Sequence, residues 1–574
     1  MGVKGLSSLI KDNRRISPDI HFRDSKLVVD GNNLIYHLYF SSNLDQNHGG
    51  EYLAFQVQVQ AFFKTLADYD IKPYVVMEGG KGTSDIKLET VFRQTLNELK
   101  VPMVKCFREA DGLRAALAKE WCCPVLSTDS DFYIFDLPRG LLHLDHFKWR
   151  AAETHRGIPC RRYTTSNSCT FFNIDRRLLP VFASLAGNDY LRDVRWARYL
   201  PAGIPTISAA NLEGLLCWLR DKKGQTTKDI LTAATKLIPS KSQQERTEAL
   251  KMLKTAMLEY ELPSSSLRGF FSEGTVPPLP AGMLIFVPDW VRAPLARGEL
   301  SGDVLDLLVH RRNILRTQGE HSDLQSSNLT SKHIRQVWYG LLLGQRGGEV
   351  LEADRVGLEL ISDNVQPLVQ GAAQTLRLDS LPQADRAVRL RVCLETLGVE
   401  EETLEGVPAH LRLPVAVTRY WLRRASPEPT VLKALLMVMV QGELNRQTGG
   451  TTGWQGDTSH ISQPLDCVVA HSFNQWQACL KDASQLNLLL CKPLPEPHFA
   501  WLYQGRLVHQ RQKQLQQREP EDIVQDDQFR RLYGRLLGAV TQPDPGANRR
   551  AGGPEAQLRA SMEHLHLNTQ DEEE

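Results

Sequence analysis

The stretch "PVLSTDSDFYIFD", residues 124–136, places two aspartates, Asp129 and Asp131, directly after a short apolar run. The run predicts a buried strand, and alternation along an extended chain puts residues i and i+2 on the same side of it. Two carboxylates on one face repel each other, and each costs solvation free energy beside a buried strand. A bound cation would offset both costs, so the spacing predicts a cation site at the end of this strand.

The region up to about residue 195 alternates short apolar runs with helical patterns. "SKLVVDGN" at 25–32, "KPYVVMEGG" at 72–80 and "VPMVKCF" at 101–107 have the length and composition of strands. "FQVQVQAFFKTLADY" at 55–69 and "DGLRAALAKEW" at 111–121 have helical spacing. This alternation predicts an α/β fold, with a Rossmann-like parallel sheet covered by flanking helices.

The rest of the chain has mainly helical spacing, as in "NQWQACLKDASQLNLLL" at 474–490. A chain of 574 residues is too long for one hydrophobic core, so we expect several domains. The predicted divisions are an α/β domain over 1–195, a helical region over 196–270, an α-helical domain over 271–540 and a disordered tail over 541–574. The tail mixes Pro, Gly and Arg with a terminal "DEEE" and has no periodicity.

Charge and composition limit the classes of function. The net charge is +1, so a nucleic-acid partner would be held by a local basic surface rather than by the field of the whole chain. Ten cysteines without C-x-x-C pairs predict neither a structural zinc nor a disulfide framework, and fit an intracellular protein. We find no signal-peptide pattern, and the most apolar run, "VLKALLMVMV" at 431–440, is too short to span a bilayer. It predicts a buried helix, and we expect no membrane partner.

Further acids follow predicted strands or open predicted helices in the α/β region. Asp30 and Glu78 each end a strand and precede a glycine, and ligands of open parallel sheets bind beyond the carboxyl ends of the strands. Glu109 and Asp111 lie at the start of a helix, where capping is an alternative role. Asp189 follows an apolar helical run in "LAGNDYL". For Asp30 the alternative is a turn residue.

Three kinds of site place paired aspartates at the end of a strand. Nucleotide-sugar glycosyltransferases bind a metal in this way, but they work in the secretory route. Aspartyl-phosphatases usually have Thr or Val two residues after the second aspartate, where this chain has Tyr133. A two-metal hydrolytic site explains the clustered acids best, since Mg²⁺ or Mn²⁺ prefers oxygen ligands and needs neither His nor Cys.

The order of the acidic motifs resembles the flap endonuclease and xeroderma pigmentosum G nuclease superfamily, whose members have a PIN-like domain. The motifs are, in chain order, "MGVKGLSSLI", "VVDGNNLIY", "KPYVVMEGG", "EAD", "STDSDFYIF" and "LAGNDYL". The remainder, with "YFSSNLDQNHGGEY" and "LPEPHFAWLYQGRLVH", is similar to the asteroid family within that superfamily. The resemblance implies a PIN-like α/β nuclease domain followed by a large all-α C-terminal region.

By the same resemblance, seven acids are expected to be catalytic and to bind two Mg²⁺ or Mn²⁺ ions. They are Asp30, Glu78, Glu109, Asp111, Asp129, Asp131 and Asp189. Gly2 matches the small residue whose amino end lies beside the active site in flap nucleases. The basic candidates for contact with the DNA are Lys81, Lys87, Arg93 and Lys100. For these the alternative is an ordinary solvated helix face.

Three departures from the superfamily pattern concern the acidic site and the binding of DNA. Glu78 stands where Asp is usual, and the span from Glu78 to Glu109 is shorter than the helical arch of the family. The segment "RDVRWARYLPAGIPTIS" at 192–208 lacks the Gly-Ile-Gly motif that holds duplex DNA in flap nucleases. Arg14, Arg15, Trp149 and Arg150 are further candidates for contacting phosphates, with surface solubility as the alternative.

The leading hypothesis is a metal-dependent, structure-selective endonuclease that cleaves single-stranded, overhang or flap DNA with water as the nucleophile, in DNA repair. The alternatives are a catalytically weak or inactive scaffold that binds proteins in repair or receptor signalling, and a nuclease directed at RNA. A DNA substrate implies a nuclear location and repair proteins as partners. The oligomeric state is not predicted.

Overall fold

The computed structural model describes nine segments of the chain, which form two compact units. The described residues are 2–79, 86–152, 156–187, 209–236, 242–264, 266–316, 319–344, 347–449 and 465–542. The first unit comprises Met1–Phe40, Gln58–Gly79 and Thr95–Pro278, and the second comprises Ser41–Val57, Gly80–Gln94 and Leu279–Glu574. Apart from residues 541 and 542, the predicted tail lies outside the described residues.

The first unit is built on a seven-stranded sheet. Its strands are β1 (Asp19–Phe22), β2 (Lys26–Asp30), β3 (Lys72–Met77), β4 (Met103–Lys105), β5 (Val125–Ser127), β6 (Leu141–His143) and β7 (Ile158–Tyr163). The spatial order is β1-β7-β6-β5-β2-β3-β4. From β6 to β4 the neighbouring strands are parallel, and β7 is antiparallel to both of its neighbours. Parallel strands are covered on both faces, which accounts for continuous apolar runs such as Leu27–Val29 in β2.

Helices flank this sheet, as the sequence predicts. The helices before residue 279 are α1 (Leu6–Ile10), α2 (Gly31–Ser41), α3 (Tyr52–Asp68), α4 (Ile86–Glu98), α5 (Asp111–Glu120), α6 (Thr165–Phe172), α7 (Leu179–Ala186), α8 (Ala209–Arg220), α9 (Thr227–Lys236), α10 (Gln243–Leu258) and α11 (Leu267–Glu273). Apolar residues of strands and helices, among them Val28, Val125, Leu117 and Phe182, share one core. The expected α/β architecture is therefore confirmed.

The second unit is mainly helical. Its later helices are α12 (Asp289–Ala296), α13 (Asp303–His310), α14 (Lys332–Leu343), α15 (Arg386–Leu397), α16 (Arg412–Ala425), α17 (Pro429–Thr448), α18 (Cys467–Leu489), α19 (Gly505–Gln514), α20 (Pro520–Ile523) and α21 (Asp527–Thr541). The apolar run 431–440 lies inside α17 and is buried apart from Lys433, as expected. None of the helices in the described part of the chain is long and apolar enough to cross a membrane.

One element of the second unit departs from the all-α expectation. A three-stranded sheet of β8 (Arg312–Ile314), β9 (Val350–Val356) and β10 (Glu359–Val365) has the order β10-β9-β8. Helical spacing in "DVLDLLVHRRNIL" suggests one long helix, but α13 ends at His310 and Arg311 takes a left-handed conformation (φ 52°). The helical region thus contains a small sheet that the sequence pattern does not reveal.

Candidate functional site

The carboxylates of the first unit gather where adjacent parallel strands end. Asp30 is the last residue of β2, Glu78 follows β3, and Asp129 follows β5. Because β5, β2 and β3 are neighbours in the sheet, these three positions share one edge. Asp111 is the first residue of α5 and is buried. The sheet topology alone therefore brings acids from distant parts of the sequence to one place.

A close approach of two chain segments fixes the position of Glu78. The backbone N–H of the next residue, Gly79, donates to the carbonyl of Arg108 (3.1 Å). A Cβ on Gly79 would collide with the carbonyl oxygen of Cys106, so only glycine fits here without a shift of the backbone. The Asn32 side chain also accepts a hydrogen bond from the Glu78 N–H (2.8 Å).

A buried arginine lies among three of the predicted acids. The Arg114 side chain on α5 is 0% exposed. Its Nη1 lies 2.7 Å from Asp111 Oδ1 and 3.3 Å from Glu78 Oε1, and its Nη2 lies 3.1 Å from Asp30 Oδ1. One guanidinium therefore contacts carboxylates from three separate elements, and its contacts demonstrate that these carboxylates converge.

Burial and charge shift the pKa values of this group strongly. Burial raises the pKa of Asp30, and Arg114 and a hydrogen bond from Ser127 oppose the rise. Burial raises the pKa of Asp111 well above its usual range, with opposition from Arg114 and a further rise from the negative charge of Asp129. Burial tends to lower the pKa of Arg114, but the surrounding carboxylates raise it above its ordinary value. The guanidinium is therefore a permanent cation inside a field of negative charge.

The oxygens of Asp30 are occupied by donors from the protein. Asn33 donates from its backbone N–H to Oδ1 (3.2 Å) and from its side-chain amide to Oδ2 (2.8 Å), and the Ser127 hydroxyl donates to Oδ2 (2.8 Å). With the Arg114 ion pair on Oδ1, the carboxylate makes four contacts. Four is about the number of acceptor positions that an ionised carboxylate offers.

Asp129 and Asp131 belong to one tight turn. Asp129 caps a short 3-10 helix, Ser130–Tyr133, and its Oδ1 accepts a hydrogen bond from the backbone N–H of Asp131 (3.0 Å). The Tyr260 hydroxyl donates to Asp131 Oδ1 (2.7 Å). Both aspartates are buried. The two residues that the sequence singled out first are thus held by backbone and side-chain hydrogen bonds.

The amino end of the chain lies against this turn. The Ser130 hydroxyl donates to the carbonyl of Val3 (3.2 Å). A Cβ on Gly2 would collide with Ser130 Oγ and would lie 2.7 Å from the Asp131 nitrogen and 3.0 Å from Asp129 Oδ1. Gly2 is therefore in direct contact with the Asp129–Asp131 turn.

The remaining predicted site residues comprise one exposed acid, two basic residues with partners in the second unit, and two residues outside the described part of the chain. Glu109 precedes α5 and is exposed. Asp189 and Lys81 fall outside the described residues. Lys87 donates to the Gln477 side chain (2.6 Å). Arg93 is buried and pairs with Glu496. Its guanidinium is therefore not exposed to solvent, as the predicted contact with a DNA phosphate would require.

The donor set fits a hard divalent cation, because it consists of carboxylate oxygens that repel one another. As the side chains stand, no three His, Cys, Asp or Glu residues of the described segments are arranged to hold an ion. Oxygens of Asp30, Glu78 and Asp111 are instead paired with the Arg114 guanidinium.

Sequence reasoning missed the residues that organise the acids. Arg114 stands three residues after Asp111, a spacing that puts both on one face of a helix and is a usable signal. Asn33 stands in the quoted motif "VVDGNNLIY", but nothing in the motif shows that it binds Asp30. Tyr260 lies more than one hundred positions from Asp131, so no local pattern predicts its hydrogen bond.

Two domain families match the chain. The XPG N-terminal domain matches residues 1–98, and the domain described as the Asteroid N-terminal domain matches residues 454–546. The first match contains Asp30 and Glu78. The second lies near the carboxyl end of this chain and includes the segment "LPEPHFAWLYQGRLVH".

Two relatives match most of the chain, and a third matches about half of it. The single-strand DNA endonuclease ASTE1 of Danio rerio is 39% identical, covering 89% of this chain and 81% of the relative. The protein of the same name from Homo sapiens is 34% identical, covering 89% and 85%. Protein asteroid of Drosophila melanogaster is 24% identical over 48% of this chain and 42% of its own length.

Among solved structures, human GEN1 in complex with Holliday junction DNA matches 62% of this chain and 83% of its own, with 18% identity and a TM-score of 0.30. That score is too low for the match to support a conclusion about the site.

Proposed function

Because the chain belongs to the asteroid family within the XPG nuclease superfamily, we propose that it is a DNA endonuclease that hydrolyses phosphodiester bonds in single-stranded, overhang or flap DNA. The observation that supports the proposal is the convergence of acids at the carboxyl edge of the sheet. Asp30, Glu78 and Asp111 lie within 3.3 Å of one guanidinium, and Asp129 adds its negative charge at Asp111.

The proposed cofactor is Mg²⁺ or Mn²⁺, with the two ions expected from the sequence. The residues proposed to hold them are Asp30, Glu78, Glu109, Asp111, Asp129, Asp131 and Asp189. A bound ion of this kind lowers the pKa of a water molecule and offsets the charge that develops on the scissile phosphate.

The chain's own residues position the carboxylates for this task. Asn33 and Ser127 fix the rotamer of Asp30, and the Tyr260 hydroxyl holds one oxygen of Asp131. Fixed carboxylates reduce the reorganisation that ion binding and catalysis require. Val3 and Gly2 support the turn from outside the sheet.

Substitution of the turn acids tests this function. We expect Asp129→Asn and Asp131→Asn to reduce Mg²⁺-dependent cleavage of labelled overhang and single-stranded DNA by at least about a thousandfold, or ~4 kcal/mol of activation free energy. Asn keeps the shape of the side chain and removes the charge. Asp136→Asn is the matched control, because Asp136 lies in the same segment but forms an exposed ion pair with Arg176. Unchanged cleavage in both site variants contradicts the proposed site.

One observation favours the scaffold as a second candidate. A buried cation already pairs with three of the acids, so part of their negative charge is compensated without a metal. Calorimetric titration separates the candidates. Uptake of Mg²⁺ or Mn²⁺ at millimolar concentration or below, lost in Asp129→Asn, supports the nuclease, and absence of uptake supports the scaffold. Parallel assays with RNA of the same sequence test whether DNA is preferred.

A DNA substrate also motivates the proposals of a nuclear location and of DNA-repair proteins as partners. Imaging of the tagged chain before and after DNA damage tests both, and exclusion from the nucleus under both conditions would contradict them.

A further inference from the structure

Arg114 is the counter-ion of the acid cluster. Its guanidinium carries no exposed area and contacts Asp30, Glu78 and Asp111 at 2.7 to 3.3 Å. A buried cation is costly unless it is paired, and the same holds for each buried carboxylate. The three acids and the arginine therefore stabilise one another in the structure as it stands.

The protein backbone fixes this guanidinium at the edge of the sheet. Arg114 Nε and Nη2 donate to the carbonyl oxygen of Val76, at 3.2 and 3.1 Å. Val76 lies in β3, two residues before Glu78. The planar guanidinium thus donates to β3 on one side and to the carboxylates with its other N–H groups. A lysine could not reproduce this geometry, because its ammonium group is a compact charge without the planar set of donors.

An ion bound at Asp30 must compete with a donor that is already there. All four acceptor positions of this carboxylate are accounted for, by Asn33 twice, by Ser127 and by Arg114. Of these donors Arg114 alone is charged, so it is the one that a divalent cation repels. Asp129 and Asp131 accept hydrogen bonds from neutral groups, a backbone N–H and the Tyr260 hydroxyl.

We propose that Arg114 is a positioning residue that controls metal loading, by competing with the ion that Asp30, Glu78 and Asp111 would share. An ion at the Asp129–Asp131 turn binds without displacing the guanidinium. A second ion binds only as the guanidinium gives up its carboxylate contacts, which makes the second ion the weaker one. This inference rests on the proposed function, since it concerns the same acids.

Titration of the full chain with Mn²⁺ tests the inference by calorimetry and thermal unfolding, without an activity readout. For the unsubstituted chain we expect one tighter and one weaker site. In Arg114→Gln the weaker site should tighten at least about tenfold, which is about 1.4 kcal/mol. The same variant should unfold at a lower temperature without Mn²⁺, because the buried Asp30 and Asp111 and the partly exposed Glu78 lose their counter-ion. Saturating Mn²⁺ should also raise the unfolding temperature of this variant by more than it raises that of the unsubstituted chain, because the ion then replaces the lost positive charge.

The control variant is Arg176→Gln, which removes an arginine of the same unit from an exposed pair with Asp136. It should leave both Mn²⁺ sites unchanged. Should Arg114→Gln fail to fold, Arg114→Lys provides the measurement. That variant keeps the charge but loses the planar guanidinium, so its weaker site should bind Mn²⁺ measurably more tightly than that of the unsubstituted chain, and an unchanged affinity contradicts the inference.

The outcomes separate this inference from the proposed function. Equal Mn²⁺ affinities and equal thermal shifts in the Arg114 variants and the unsubstituted chain overturn the inference and leave the nuclease proposal standing. A merely structural arginine gives that result, since its loss lowers the unfolding temperature with and without Mn²⁺ alike. Absence of Mn²⁺ binding in every variant overturns the proposed function itself.

Discussion

A side chain at position 2 would press directly on the turn that presents Asp129 and Asp131. Gly2 has φ 38°, and its missing Cβ would lie 2.7 Å from the Asp131 nitrogen. Gly5 has φ 84°, but a Cβ there would meet only Leu212 Cδ1, at 3.6 Å. Both glycines therefore occupy a conformation that side chains resist, and only Gly2 is also confined by the site.

We expect Gly2→Ala to lower cleavage and Mn²⁺ affinity by roughly tenfold, or about 1.4 kcal/mol, because the turn must shift to admit the methyl group. Gly5→Ala is the matched control. It shares the backbone strain, of about 1 kcal/mol, and should leave both quantities within about twofold. Calorimetry and a cleavage assay on the purified variants measure the effect. Equal losses in the two variants would show that backbone strain, rather than contact with the turn, is responsible.

At the residue scale, the sequence predicts positions better than contacts. Asp30, Glu78 and Asp129 end predicted strands, and the parallel order of those strands suffices to bring them to one edge. The role of Arg114 depends on the rotation of α5 about its axis and on the depth of burial, which local spacing restricts but does not determine. Tyr260 reaches Asp131 only through tertiary packing, so its contribution is absent from any local motif.

At the scale of elements, hydrogen bonds connect a short segment before α3, residues 48–51, to the beginning of α19 within the second unit. The Gly505 N–H donates to the carbonyl of Gly50 (2.9 Å), and the Arg506 N–H donates to Glu51 Oε1 (2.8 Å). The Tyr503 hydroxyl donates to the carbonyl of His48 (2.6 Å). Burial raises the pKa of Glu51 to about 7, so this junction contains a carboxyl group that titrates near neutral pH.

The raised pKa of Glu51 makes stability depend on pH in a defined direction. The folded state binds this proton more tightly than the unfolded state, so the stabilisation is complete below about pH 4.5 and is lost as the pH rises through about 7. We expect the free energy of unfolding of the original chain to fall by on the order of 2 kcal/mol more than that of Glu51→Gln between pH 5 and pH 8. Urea denaturation at four pH values measures the difference, and parallel curves would contradict it.

The small sheet of the second unit shows why some elements escape sequence-based prediction. β10 is exposed along most of its length, so its residues "ELISDNV" lack the alternating burial that marks an amphipathic strand. It forms through backbone pairing with β9 across a turn at Gly357 and Leu358. The short connection between the two strands brings them together, and the side-chain pattern of β10 does not indicate the pairing.

At the scale of the whole molecule, the two units carry different kinds of buried charge. The acids assigned to the site belong to the first unit. In the second unit, Arg335 forms a bidentate pair with Glu352, at 2.6 and 3.1 Å, and a further pair with Asp482, at 3.0 Å. Its remaining contacts are with the Asn328 carbonyl and the Ser331 hydroxyl. All of these contacts lie within the second unit, which indicates a structural role.

Arg335→Met should therefore reduce stability without altering metal binding. Loss of the arginine leaves Glu352 buried without its cation and removes one of the cations beside Asp482, which still pairs with Lys481, at a cost of about 3 to 5 kcal/mol in urea unfolding. Arg297→Met, at an exposed pair with Glu299, should cost less than about 1 kcal/mol. At a temperature where Arg335→Met remains folded, its Mn²⁺ affinity should stay within about twofold of the original, since the acids proposed to bind the ion lie in the other unit. A large loss of Mn²⁺ affinity in folded Arg335→Met would contradict this prediction, because it would mean that a residue of the second unit also affects metal binding.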